Sequence, residues 1–298
     1  MPSNMRKIQN HRGVAARSRK EGLESEAIFR EAENLYFATG RGRSRSKALS
    51  KYLAAAKLGH TGAACNAGVM LCRGWGARVN TRKAAELFRF AAERGDAEGQ
   101  YRLGIMLRDG TGVRRDVREA VTWFRKASTL NDRDAQHELG WAYLRGRGVG
   151  RNKRKAFHWF REAAINGDST SMRNIGLSYL RGKGTARNLR KAFFWFREGA
   201  LCGNARSMYE LGVCYEVGEG VPPNRRRAVH WFRKAACAGH QRAQYNLGLS
   251  LLRGEGVKKA PEEAVAWLRK ARSQGHKGAA RVLIHMRTKE GRKLEMSR

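Results

Sequence analysis

AQHELGWAYLRGRGVGRNKRKAFHWFREAAINGD, residues 135–168, is the stretch whose reading decides the fold. A first helix runs through Gly140 and stops at Gly146-Arg147-Gly148, where glycine supplies the left-handed or open dihedrals that end a helix. Asn152 has the short polar side chain that caps a second helix,. Ala156, Trp159, Phe160, Ala163 and Ala164 then recur at helical spacing, and Gly167 closes the stretch,. The charges at the second helix start have the wrong sign. Lys153, Arg154 and Lys155 fill its first turn, where the exposed N–H groups favour anions and each cation costs about 0.3–1 kcal/mol.

The stretch is one copy of a repeat. The mid-helix glycine recurs as Gly68, Gly104, Gly140, Gly176, Gly212 and Gly248, always 36 residues apart. A loop pair recurs in phase from Gly74/Gly76 through Gly110/Gly112, Gly146/Gly148, Gly182/Gly184 and Gly218/Gly220 to Gly254/Gly256. A third column reads Gly59, Gly95, Asn131, Gly167, Gly203, Gly239 and Gly275. An aromatic column, Trp123, Trp159, Trp195, Trp231 and Trp267, is preceded by Leu87 and Lys51. Asn80, Asp116, Asn152, Asn188 and Asn224 cap the second helices, and Pro261 stands at the first helical position of the last,. Glycine inside a helix costs about 1 kcal/mol against alanine, so its recurrence in the first helices points to a neighbour packed on bare backbone. The tryptophans share a stripe with the alanines and are expected in the core.

One helical hairpin cannot bury its own apolar face, but a stack can. The expected fold is all-α: an α/α solenoid (superhelix) of about seven 36-residue helix–turn–helix repeats with a closing helix from His276 to about Lys289. Residues 1–23 read as a basic, flexible arm, 24–290 as the solenoid and 291–298 as a short basic tail.

A-x-x-x-L-G-x-x-Y, then G-x-G-V, then K-A-x-x-W-x-x-K-A-A-x-x-G resembles the Sel-1-like repeat, and residues 135–168 follow it almost position for position. The resemblance implies a tetratricopeptide-related array that serves as an adaptor or scaffold for other proteins, with no shared chemistry. Departures are local. The first loop has Ala38-Thr39-Gly40, Asn131 replaces a glycine, and Lys51 and Leu87 replace the aromatic, so looser packing is expected in the amino-terminal repeats.

Composition sets the electrostatics. Lys plus Arg number 61 against 26 Asp plus Glu, a formal charge of +35 and a pI of about 11.1, so the chain attracts polyanions, whether RNA, DNA, acidic protein or an anionic membrane surface. Cys65, Cys72, Cys202, Cys214 and Cys237 are odd in number and include no C-x-x-C, the pattern of a reduced intracellular protein. No run of 18 apolar residues is present to span a membrane,. The N-terminal MPSNMRKIQNHRGVAARSRK has no acid and no apolar core; it reads as a disordered basic arm or an organelle transit peptide. The expected compartment is accordingly the cytoplasm or an organelle.

Two surfaces are candidates for function. In arrays of the tetratricopeptide kind the first helices line a concave groove. Here that places Tyr101, His137, Arg173, Tyr209 and Tyr245 in one column, Arg145, Arg181 and Arg253 in another, and Trp141 between them. This mixture suits peptide binding; the lesser alternative is that some of these tyrosines merely pack on the next repeat. A basic edge is the second candidate. Arg82, Lys83, Arg114, Arg115, Lys153, Arg154, Lys155, Arg190, Lys191, Arg225, Arg226 and Arg227 crowd the turns and first turns of the second helices. Acids there would suit both solubility and the helix dipole better, so the bases argue for an anionic partner rather than a coat. The file Arg89, Arg125, Arg161, Arg197, Arg233 and Arg269 reads as a solvated outer face.

Catalysis is not expected. His60, His240 and His276 occupy one repeat position, and His158 and His230 another, without converging as metal ligands,. His137-Glu138 belongs to no H-E-x-x-H pattern and the glycines to no Walker loop,. GRGRSRS at 40–46 is too short an Arg-Gly/Arg-Ser tract to assign. The sequence therefore predicts a non-enzymatic adaptor without cofactor or metal, binding protein partners in its groove, of undetermined oligomeric state. An RNA- or DNA-contacting subunit of a ribonucleoprotein, organellar if the N-terminus is a transit peptide, is the other reading.

Overall fold

The computed structural model describes the backbone of residues 3–38 and 44–296 and the side chains of residues 20–38 and 44–286. Thr39-Gly40 of the first loop and residues 40–43 of the Arg-Gly tract lie outside the described residues, as do the side chains of the transit-peptide-like stretch up to residue 19. Among the described residues all regular structure is helical, and the fold is the all-α solenoid of helix pairs.

The chain divides into two compact bodies, Met1–Arg151 and Asn152–Arg298. The first contains α1 (Ser3–Phe37), α2 (Arg45–Lys57), α3 (Thr61–Arg73), α4 (Thr81–Glu93), α5 (Ala97–Asp109), α6 (Val117–Thr129) and α7 (Arg133–Arg145). The second contains α8 (Lys153–Ile165), α9 (Ser169–Arg181), α10 (Leu189–Leu201), α11 (Ala205–Val217), α12 (Arg225–Cys237), α13 (Gln241–Arg253), α14 (Pro261–Ser273) and α15 (Lys277–Met296). Within each body every helix packs on the next in sequence. The backbone of residues 3–23 continues α1, and α15 carries the closing helix to Met296.

Each joint is fixed by hydrogen bonds that the sequence dictates. Gly110 takes the left-handed conformation at the end of α5 (φ 73°), and its N–H and that of Thr111 both donate to the Met106 carbonyl, at 2.8 and 3.0 Å. The loop then folds back, and the Asp116 N–H donates to the Leu107 carbonyl at 2.9 Å. The Asp116 carboxylate accepts from the N–H groups of Arg118 and Glu119, starting α6. Asn80, Asn152, Asn188 and Asn224 cap α4, α8, α10 and α12 in the same way. At the other joint Asn131 holds φ 60° where the column otherwise has glycine, because asparagine tolerates the left-handed region.

The core is a column of rings seated on glycines. A Cβ added to Gly104 would lie 2.5 Å from the Phe124 ring, and one on Gly68 would lie 2.7 Å from Phe88. Phe196 sits on Gly176, Phe232 on Gly212 and Leu268 on Gly248 in the same manner. The ring column is therefore Tyr52, Phe88, Phe124, Phe160, Phe196, Phe232 and Leu268, all buried. It lies one residue beyond the tryptophan column, which corrects the expectation that tryptophan forms the core. Trp123 is buried at 8% exposure, whereas Trp159, Trp195, Trp231 and Trp267 are only half-buried. In the amino-terminal repeats Tyr52 and Phe88 are 1% and 2% exposed, so Lys51 and Leu87 replace residues outside the ring column, and Leu87 lines an open recess of about 580 Å³ with Ser50, Leu53 and Phe90.

The second glycine of each G-x-G joins consecutive repeats. Gly112 lies against the Thr81 carbonyl at the start of α4, Gly184 against that of Lys153 at the start of α8, and Gly220 against that of Leu189 at the start of α10. A side chain there would push the loop off the preceding second helix.

These packings separate the glycines by function. Gly104→Ala forces a methyl into the Phe124 ring and should destabilise by about 1–3 kcal/mol, despite alanine's better helix propensity. Gly22→Ala, in α1 with nothing within 4 Å of its Cβ position, should instead stabilise by up to about 1 kcal/mol. Urea unfolding of the two variants measures the sign; equal effects would mean that no ring seats on Gly104.

Candidate partner-binding surfaces

The first-helix face carries the residues expected in a groove, and each body brings some of them together. In the N-terminal body His137, Trp141 and Arg145 of α7 line a recess of about 370 Å³ with Arg108, Asp109, Val117, Val121, Phe124, Glu138, Ala142 and Arg147. The Trp141 indole N–H donates to His137 Nε2 at 2.9 Å, and the Arg145 guanidinium lies 4.5 Å from the Trp141 ring. Arg108 binds Asp109 at 2.7 Å and Glu138 at 2.7 Å, and the Asp109 contact, with Glu138 adding to it, holds its pKa well above the usual arginine range. Tyr101 is half-buried in α5 beside Phe124; burial first, then Asp134 and Glu138, push its hydroxyl up to about 12.

In the C-terminal body Arg173 of α9 and Tyr209 of α11 line a recess of about 550 Å³ with Arg206, Glu210, His240, Gln241 and Arg242. Arg173 Nη2 pairs with Glu210 at 2.5 Å. Tyr245 lies further on, against His276, while Arg181 and Arg253 are exposed at the ends of α9 and α13.

The tyrosines do two things. His240 and His276 are helix N-caps, each accepting through Nδ1 the N–H three residues on, from Ala243 at 3.3 Å and from Ala279 at 3.2 Å. Each imidazole lies on the ring one repeat earlier, His240 on Tyr209 at 4.7 Å and His276 on Tyr245 at 4.3 Å between centroids. His60 repeats this on Phe29 at 4.3 Å. Each tyrosine thus serves the next repeat while remaining half-buried. The histidine column is structural, a role that sequence reasoning missed; its signal was the alternation of His with Asp96, Asp132, Asp168 and Asn204 at one repeat position, all capping residues.

The second candidate surface lies at the starts of the second helices. All twelve cations named for it are exposed. Some have local partners: Arg115 Nε donates to the Arg108 carbonyl at 3.0 Å, Arg82 approaches Glu86 at 3.7 Å, and Lys191 and Arg227 each lie 5.6 Å from a tyrosine ring, of Tyr179 and Tyr215. Lys153, Arg154, Arg190 and Arg226 have no acid within ion-pair distance among the described residues. In the C-terminal body Gly184 and Gly220 set the starts of α8 and α10 each beside the loop that leads to the next second helix.

The arginine file behaves differently from a merely solvated face. Arg89 pairs with Glu119 of the next second helix at 3.1 Å, and Arg233 with Glu263. The same carboxylates accept the indole N–H groups of Trp123 and Trp267, each at 3.1 Å. Arg161 and Arg197 stand at the equivalent position, but the residues replacing the glutamate are Lys191 and Arg227. Both arginines are exposed, with no acid among the described residues at ion-pair distance.

Among the described residues no helix is long and apolar enough to cross a membrane, and no group of three or more His, Cys, Asp or Glu is placed to hold a metal ion. The five cysteines are free thiols, and burial pushes the Cys214 thiol up to about 12.

A model of the Sel1 repeat matches residues 61–96, 97–132, 133–168, 169–204, 205–240 and 241–276. The chain belongs to the Sel1 repeat family. Its fold is similar to that of c5321, a protective antigen of uropathogenic Escherichia coli strains displaying an SLR fold, with a TM-score of 0.82 and 28% identity over 91% of this chain. The chain spans 58% of that protein's length. It is also similar to a Sel1 repeat protein from Oxalobacter formigenes, with a TM-score of 0.71 and 28% identity, covering 84% of this chain and 96% of that one. No curated protein matches the chain. Sel1 repeat proteins generally act as protein-interaction scaffolds and are typically non-catalytic.

Two expectations follow from this electrostatics. Lys153→Glu with Arg154→Glu places acids in the first turn of α8, where the dipole favours them, so the thermal midpoint should hold or rise slightly; a drop of several degrees would show that these cations hold the fold together. Burial, then Arg173, Arg206 and Arg242, bring His240 down to about 4 from 6.5. Between those values the unfolded chain binds a proton that the folded chain refuses, so stability falls as pH is lowered through that range. His240→Asn keeps a capping side chain without the titration and should lose less stability between pH 7 and pH 4.5 in urea unfolding, with His276 supplying part of the remainder because its pKa is also lowered.

Proposed function

We propose that this Sel1 repeat chain is a non-enzymatic scaffold that takes segments of partner proteins on its first-helix face. The observation that carries the reading is the pair of first-helix recesses, one in each body, lined by Trp141, His137 and Arg145 and by Tyr209, Arg173 and Arg206. Aromatic and arginine side chains dominate the energetics of protein interfaces because they bury large area while keeping a directional polar end. Tyr209 also packs on Phe232 of the core, while Arg206 is exposed and Arg145 lies over the Trp141 ring. The cationic starts of the second helices form a separate contact for an anionic partner.

A second reading, in which the cationic side holds RNA or DNA as part of a ribonucleoprotein, draws on Lys191 and Arg227 standing where Glu119 and Glu263 pair elsewhere. Phosphate contacts would give binding a steep salt dependence through counterion release.

Site-specific photo-crosslinking separates the readings. A photoreactive side chain at Trp141 or Arg253, on first helices, should trap protein adducts that persist after nuclease treatment of the native complex. The same side chain at Arg161 or Arg197, on second helices, should trap fewer. Adducts confined to the second helices and abolished by nuclease would reverse the assignment.

A further inference from the structure

The recess on the first-helix face of the C-terminal body has a composition that repeat averaging does not produce. Three consecutive first helices each contribute one arginine: Arg173 from α9, Arg206 from α11 and Arg242 from α13. Its single acid, Glu210, is already paired with Arg173 at 2.5 Å. That leaves the exposed Arg206 and Arg242 without an acid in the recess to pair with, beside Tyr209, whose ring lies tilted against His240. Burial first, and then the nearby guanidinium groups of Arg173, Arg206 and Arg242, disfavour the charged form of His240.

Basic drift of the whole chain does not account for this. Arg206 and Arg242 share a repeat position with Glu98 and Asp134, which are acids in a chain of net charge +35. Position alone therefore does not call for a cation, and the N-terminal repeats use the opposite sign.

We infer that the recess formed by Arg173, Arg206, Tyr209 and Arg242 binds the carboxylates of an acidic segment in a partner protein. This rests on the reading of the first-helix face as the partner surface and names the chemistry one part of it selects. Guanidinium groups present planar forks that match carboxylates, and two of them from adjacent repeats suit two acidic side chains of one extended segment. Tyr209 offers an aromatic floor for the stems of those side chains. A volume of about 550 Å³ exceeds the needs of one small anion and accommodates several side chains.

The test uses the full chain and fluorescein-labelled hexaglutamate, read by anisotropy at constant ionic strength. Arg206→Glu with Arg242→Glu should weaken binding at least about tenfold, whereas Lys153→Glu with Arg154→Glu, an equal change of net charge, should weaken it less than about threefold. Arg206→Gln with Arg242→Gln, which reverses no charge, should fall between these. Circular dichroism establishes that each variant is folded, and the two positions are exposed. In the wild type, hexaglutamate should raise the His240 titration midpoint seen by NMR, and unlabelled oligo-thymidine should compete less well than unlabelled hexaglutamate at equal charge. Equal losses from both charge-reversed pairs would overturn the inference by making the attraction non-specific. So would an unmoved His240, or oligo-thymidine competing as well as hexaglutamate. If that happens while Trp141 and Arg253 still crosslink to protein, the scaffold reading stands and only the acidic-segment assignment falls.

Discussion

A ring resting on bare backbone is the contact from which the rest of this chain follows. In five hairpins, those of Gly68, Gly104, Gly176, Gly212 and Gly248, an aromatic or leucine side chain from the second helix occupies the volume that a Cβ on the first helix would fill, as Phe124 does over Gly104. Glycine's penalty of about 1 kcal/mol in a helix is offset by burying a large apolar ring, worth roughly 1.5–3 kcal/mol when fully removed from water. The two helices can then approach closely enough for the second helix's alanines, Ala120 and Ala127 of α6, to be buried as well. The second loop glycine carries the arrangement to the next repeat by lying on a helix-start carbonyl, Gly112 on Thr81 for example. Core packing and repeat stacking are therefore set by two glycines a few residues apart, which is why both recur at a strict interval of 36.

That strictness made most of the fold legible in the sequence. Loop stops, N-caps and helix lengths depend on local chemistry, and local chemistry repeats. What periodicity could not resolve was which of two adjacent apolar columns is innermost. Trp123 and Phe124 differ by about 100° around a helix, and both columns look hydrophobic. The deciding fact is that the glycine faces the phenylalanine. Tryptophan's ring N–H needs a polar partner when buried, and Glu119 and Glu263 supply one at the rim of the core. The tyrosine–histidine stacks escaped for another reason: Tyr209 and His240 are 31 residues apart on different hairpins, so neither residue's own helix reveals the contact.

The candidate surfaces were legible in kind and incomplete in detail. The sequence supplied the columns containing His137, Trp141, Arg173 and Tyr209, but not Arg206 and Arg242, which sit one turn earlier on α11 and α13. The signal was present in the change from Glu98 and Asp134 to Arg206 and Arg242 along one column. A column of mixed sign has no average, and a reading built on recurrence passes over it. Departures from the repeat, more than its consensus, are where a scaffold acquires particular chemistry.

The same reasoning applies to charge and stability together. Where Glu119 and Glu263 are present, an arginine from the neighbouring second helix is held by a carboxylate that also receives an indole N–H. Where Lys191 and Arg227 replace them, Arg161 and Arg197 are exposed without a carboxylate partner among the described residues, in a chain of strongly positive net charge,. An anionic segment bound on that side would meet this positive charge, and whatever binds only the folded state also stabilises it. Partner affinity and repeat stability would then both depend on the same surface charge.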